Sequence, residues 1–401
     1  MKRAFTRRGL RATLTLAALG TAGATILGTS AFAAASTAAP PSRACVSKGS
    51  LPTHVKHISG IVLAAPVTAC PQNLPSHSIR KSGDAARGTP PLIWHGGAVM
   101  GTKVTGALVV TPIFWNPAGH SMTTPYKNIL TRYLTDVAKA SGSDTNVYSI
   151  AREYFGTDGQ IRYQVKLGTP INDTNPLPAD GCTVDSKDTT NIYGDNTGYN
   201  ACLDDNQIIA ETQNVVAANH LRRDFAHIYV IYLPKHVESC FLPGSTTDAS
   251  QGQACTINYQ PTAAYCAYHS FVPALAGKNL VYANMPYPIY NSKVGFTCAS
   301  NGKRGFPVLE TPNGNADADT EISPTSHEII EAMTDPDTSS GWYDQPLGFE
   351  IGDECAYVYG AAHGKVGHLY NQVINGHHYL TQEEFSNHSY FASGGGCLQG
   401  E

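Results

Sequence analysis

Apolar positions follow two periods along this chain, and a few continuous runs break both. Tyr126 to Lys139 carries Ile129, Leu130, Tyr133, Leu134 and Val137 at helical spacing, with Pro125 just ahead where a first turn tolerates proline. The pattern predicts a helix there, a second short one over Val147–Phe155, and a third over Asp205–Leu221. Runs rich in β-branched and aromatic residues predict strands at Ala98–Val104, Ala107–Trp115, Ile161–Leu167 and Asn279–Met285, and HIYVIYL (His227–Leu233) reads as a strand buried on both faces. Ser323-Pro324 predicts the cap and first turn of a helix over Pro324–Met333. Polar, Gly-rich stretches at Gly168–Asp205 and Gly244–Gln260 predict loops, and the last seventy residues predict loops with short strands. Helices and strands are interspersed without a βαβ repeat, so the expected class is α+β with a mixed sheet and long loops.

The N-terminus departs from this pattern. Met1–Arg11 is basic, Ala12–Leu27 is apolar and small, and Ser30-Ala31-Phe32-Ala33 resembles a signal-peptidase site, which predicts an export signal over 1–33. Thr6-Arg7-Arg8-Gly9-Leu10-Arg11 also resembles a twin-arginine signal, so both that route and Sec export remain open. Ala34–Thr89, small, polar and proline-punctuated, reads as a linker or pro-segment ahead of one domain over 90–401. No later run is long enough to span a membrane.

Charge and cysteines agree with that address. Lys2, Arg3, Arg7, Arg8 and Arg11 all sit in the export segment, leaving 22 basic against 31 acidic residues, a net charge of about −9. Nucleic acid, which is bound through phosphates by positive charge, is therefore excluded as the expected partner. The chain has 10 cysteines, all beyond residue 33 and with no C-x-x-C pair, which predicts disulfides rather than a thiolate metal cage. Nearest-neighbour pairing predicts Cys45–Cys70, Cys182–Cys202 and Cys355–Cys397, with Cys240, Cys255, Cys266 and Cys298 pairing among themselves.

The candidate chemistry lies in Ser326-His327-Glu328-Ile329-Ile330-Glu331-Ala332-Met333-Thr334-Asp335-Pro336. On a helix His327 and Glu331 share a face one turn apart, with Glu328 beside them. This is the zinc-peptidase pattern H-E-x-x-H with glutamate replacing the second histidine, and carboxylate oxygen is a competent zinc ligand. A third ligand must come from beyond the helix. Glu350 ranks first, then Asp353, then Asp337, which is ten residues after His327 but lacks the glycine of the long metallopeptidase motif, Thr334 standing in its place. Calcium is the competing use of so many carboxylates. His95 and His269 lie in motif-like surroundings, WHGG and CAYH, where a histidine usually packs and hydrogen-bonds but can also line a cleft. No G-x-S-x-G elbow, P-loop or Rossmann fingerprint occurs.

Trp94-His95-Gly96-Gly97, VVTPIFWNP, HIYVIYL, Cys266-Ala267-Tyr268-His269 and Thr334-Asp335-Pro336 together resemble the phosphate-induced (EXORDIUM-like) family of extracellular proteins. That resemblance implies secretion and a shared fold, with a non-catalytic binding or signalling role. The S-H-E-x-x-E-A-x-T-D-P signature instead resembles zincin-type metallopeptidases. It implies a zincin-like domain in which zinc polarises the carbonyl of an extracellular protein or peptide while Glu328 activates the attacking water.

Overall fold

In a computed structural model of the chain, the longest apolar runs become neighbouring strands of one sheet. The structure describes residues 61–63, 65–66, 90–184, 198–241, 255–256, 265–273, 279–289, 296–301, 306, 308–345 and 347–401. The expected export signal, the Cys45–Cys70 pair and most of the expected linker and of the Gly244–Gln260 loop lie outside the described residues.

The sheet strands are β1 (Ile61–Leu63), β2 (Leu108–Trp115), β3 (Val165–Leu167), β4 (Ile171–Asp173), β5 (His227–Tyr232), β6 (Tyr265–Val272) and β7 (Leu280–Met285). Their order is β1-β6-β7-β5-β2-β3, with β4 also pairing β2. β5 runs parallel to both β2 and β7, β6 is antiparallel to β7, and β1 is antiparallel to β6. The sheet is mixed and the fold is α+β. The longer helices are α1 (Thr124–Lys139), α2 (Asp205–Ala218) and α3 (Ala316–Thr334). The expected short helix near residue 150 is a 3-10 helix over Val147–Glu153, and a short α4 covers Asn387–Ser393. Among the described residues no helix is long and apolar enough to cross a membrane.

Alternate residues of β5 enter two different cores. Ile228, Val230 and Tyr232 pack with residues of α1 and α3, whereas Tyr229 and Ile231 pack with Ile208, Val215 and Val216 of α2. Both faces are covered, which is why the run lacks polar alternation.

Three expectations are corrected. Ala98–Val104 is not a strand. Gly101 has φ +75°, the Thr102 hydroxyl accepts from the Val104 and Thr105 amides, and the Met100 amide donates to the Met333 carbonyl, so these apolar residues cover the end of α3 as a turn. The Gly168–Asp205 loop contains β4 and a strand over Ala201–Asp204. Finally, α3 begins eight residues before Pro324. Asn315 is its cap, accepting from the Ala318 amide at 2.9 Å, with Asp317 and Asp319 in the first turn where the helix dipole favours acids. Ser323 is interior, and its hydroxyl accepts from the Gln382 amide at 3.0 Å.

Among the described residues four disulfides join Cys182–Cys202, Cys240–Cys255, Cys266–Cys298 and Cys355–Cys397, in agreement with the expected groupings.

Candidate metal centre

Every residue from Ala318 to Thr334 is buried, so α3 is enclosed on all sides rather than amphipathic. It nevertheless carries His327, Glu328 and Glu331, each 0% exposed. The three offer ligand atoms mutually within 4.8 Å. His327 Nε2 lies 2.8 Å from Glu331 Oε1, yet the alignment is not that of a hydrogen bond. Two ligand atoms close together but not aimed at each other is the arrangement expected of donors converging on a cation.

Two further elements enter this space. After α3 the chain turns at Asp335, whose carboxylate accepts from the amides of Ser339, Ser340 and Gly341. Gly341 is required there, because a Cβ would lie 2.2 Å from the Thr334 carbonyl oxygen. The loop then returns as Glu350-Ile351-Gly352-Asp353-Glu354-Cys355, anchored by the Cys355–Cys397 bridge and by the Phe385 amide donating to the Ile351 carbonyl. It brings the Asp353 amide to Glu331 Oε1 at 3.1 Å and Asp353 Oδ1 to 3.7 Å from His327 Nε2. The second element is β6. His269 stands opposite Ala283 of β7, whose side chain belongs to the α3-facing core, and so faces the helix. Its Nδ1 is 3.2 Å from Glu328 Oε2 and 3.7 Å from Glu331 Oε2, and its Nε2 lies 3.0 Å from the Asp335 carbonyl.

Glu350 does not join the His327 set. It groups with His269 and Glu331, again with ligand atoms within 4.8 Å of one another. Asp337 stays at the turn, bonded to Ser339 and Ser340, and belongs to neither group. His269 is the residue that sequence reasoning left in a packing role. It is 59 residues from Glu328, and only the pairing of β6 with β7 brings it in. His95, the other such histidine, stacks on Tyr343 outside both groups.

Burial sets the electrostatics. It pushes the Glu328 carboxyl well above the carboxylate range; His327 opposes the rise, and Glu331 and Asp353 add to it. Glu350 is pushed up by burial and then by Glu331, Asp335, Asp353 and Glu328. Glu384 is raised likewise, by burial and then Glu331, Asp353 and Glu328. Asp335 is pushed up to about 7 by burial, against the pull of the Gly341 amide and His269. Glu328 Oε1 and both oxygens of Glu350 and Glu384 are buried without a hydrogen-bond partner among the described residues. Such a carboxylate is costly unless it is protonated or meets a cation, so the residues fit a divalent metal. Both α3 groups combine a histidine nitrogen with carboxylate oxygens.

Behind His327, the Gln382 side-chain nitrogen lies 2.8 Å from Nδ1 and donates to the Gly352 carbonyl at 2.7 Å. An amide nitrogen there makes Nδ1 the acceptor and leaves the proton on Nε2. Metal binding at Nε2 requires the amide to turn over, so that its oxygen receives Nδ1–H.

Comparison with known proteins adds no relative: no protein-family model, curated protein or solved structure matches the chain.

Proposed function

We propose that this chain is an extracellular, zinc-dependent hydrolase of the zincin type, acting on peptide bonds. The observation that carries the reading is the enclosed group His327, Glu328 and Glu331 on α3, whose spacing is that of the peptidase helix. His327 and Glu331 would hold the metal. Asp353 would be the third ligand, in place of Glu350, because it is the returning carboxylate within reach of His327. When bound, zinc supplies a Lewis acid that polarises a substrate carbonyl. Glu328 would take the proton from the attacking water, its raised proton affinity suiting it to hold that proton and pass it to the leaving amine. The disulfides, the export-like N-terminus and the acidic charge support an extracellular site of action.

A second reading has its own support. The three helix residues are fully buried, and metal sites closed to solvent are more often structural than catalytic. A surface hollow of about 580 Å³, lined by residues including Glu153, Tyr154, Trp342 and His388, contains none of these ligands. On this reading the metal stiffens an extracellular binding or signalling protein of the EXORDIUM-like kind.

Paired variants separate the two. As a general base rather than a ligand, Glu328 replaced by the near-isosteric glutamine (Glu328→Gln) should leave zinc bound and lower hydrolysis of an unfolded protein by about 10²–10⁴-fold. Glu331→Gln should lose metal and activity together. Activity that survives in Glu328→Gln removes this helix from the chemistry, and zinc binding by wild type with no hydrolysis of any peptide favours the binding protein.

A further inference from the structure

We propose that the centre is dinuclear: two divalent cations share the Glu331 carboxylate, one on the His327 side and one among His269, Glu331 and Glu350. The inference rests on the metal-centre reading above and adds a second position to it.

Glu331 is common to the two groups of converging ligands. Its oxygens are divided between them: Oε1 faces His327 Nε2 at 2.8 Å, and Oε2 faces His269 Nδ1 at 3.7 Å. A carboxylate with one oxygen toward each of two ligand sets is placed to bridge two ions.

The second position has two observations of its own. Glu350 is 0% exposed, and neither of its oxygens has a hydrogen-bond partner among the described residues; the nearest histidine atom, His269 Nε2, is 3.8 Å away. His269 is held in the tautomer a ligand needs. The Asp335 carbonyl, 3.0 Å from Nε2, can only accept, so that nitrogen carries the proton. The Nδ1 lone pair is then turned toward Glu328 and Glu331, a contact that needs either a proton or a cation between the facing atoms. A carbonyl fixing the distal nitrogen is also the usual support for a histidine ligand.

Where these carboxyls are ionised, charge balance favours a second ion. Glu328, Glu331, Glu350, Asp353 and Glu384 are all buried. Ionised around neutral histidines they carry −5, which one divalent cation reduces to −3 and two reduce to −1. Residual buried charge of −3 is far costlier than −1.

The test is the zinc stoichiometry of full-length protein, stripped with chelator, reloaded and desalted, read beside anomalous difference density at the zinc edge. Two zinc ions per chain are expected, with two peaks about 3.5–4 Å apart flanking Glu331. Glu350→Gln and His269→Asn, both close in shape to the native residues, should each hold one zinc with an unchanged circular dichroism spectrum. His327→Asn should also hold one, at the other peak. One zinc in wild type overturns the second position and leaves the single-metal reading standing, whereas none overturns both. Two zinc ions retained in both Glu350→Gln and His269→Asn would overturn the assignment, placing the second ion elsewhere.

Discussion

Gly352 shows how closely the returning loop meets the helix. Its φ is −79°, so any residue fits the backbone, but a Cβ would lie 2.6 Å from His327 Nδ1. Gly352→Ala should therefore leave the fold intact and displace the imidazole, lowering zinc affinity at least tenfold in a chelator-competition titration; unchanged affinity would mean that His327 is not a ligand. Gln382→Leu removes the ring's outer partner and should weaken zinc by about 10–100-fold in the same titration. A different residue pair tests the electrostatics away from the metal. Burial pushes the Asp173 carboxyl up to about 6, the Asn175 amide pulls it down, and the charge of Glu211 adds to the rise. Between about pH 4 and 6 the folded Asp173 keeps a proton that the unfolded chain has released, so its contribution to stability falls as pH rises through that window. Asp173→Asn abolishes the fall. The variant should gain about 1 kcal/mol at pH 7.5, after discounting for solvent screening, and nothing near pH 4. Denaturation midpoints at the two pH values check it.

Among the elements, the loop over residues 350–355 depends most on a covalent tie. The Cys355–Cys397 bridge closes a sequence separation of 42 residues, both cysteines being fully buried. Replacing both with serine should cost roughly 2–5 kcal/mol of stability and, because the loop carries Glu350 and Asp353, release metal at lower chelator concentration. Loss of stability without easier metal release would separate the loop from the site. The same scale shows what the sequence makes legible. HIYVIYL and Tyr126–Lys139 become β5 and α1 because burial on both faces or on one stripe leaves a local pattern. The true start of α3 is hidden by its polar first turn, Ala316-Asp317-Ala318-Asp319, and by Pro324, which resembles a first-turn proline but lies inside the helix. β6 is obscured because His269 and Ser270 interrupt its apolar run. The i, i+4 spacing that puts His327 and Glu331 on one face is likewise local and readable, whereas the approach of His269 to them depends on strand pairing between distant segments.

On the scale of the whole molecule, the sheet and α3 enclose an acidic centre that is costly to hold ionised without cations. The four disulfides account for 8 of the 10 cysteines, and the expected Cys45–Cys70 bridge would complete the set. Native, unreduced protein should then take up no alkylating reagent by intact mass; several modified thiols would contradict an oxidising destination. The account depends most on the metal itself. Elemental analysis of protein purified without chelator should find at least one zinc per chain, and removing it should lower the unfolding temperature, because an ion bound only by the folded state stabilises that state. A folded, monodisperse chain that contains no divalent metal and gains no stability from added zinc would contradict it.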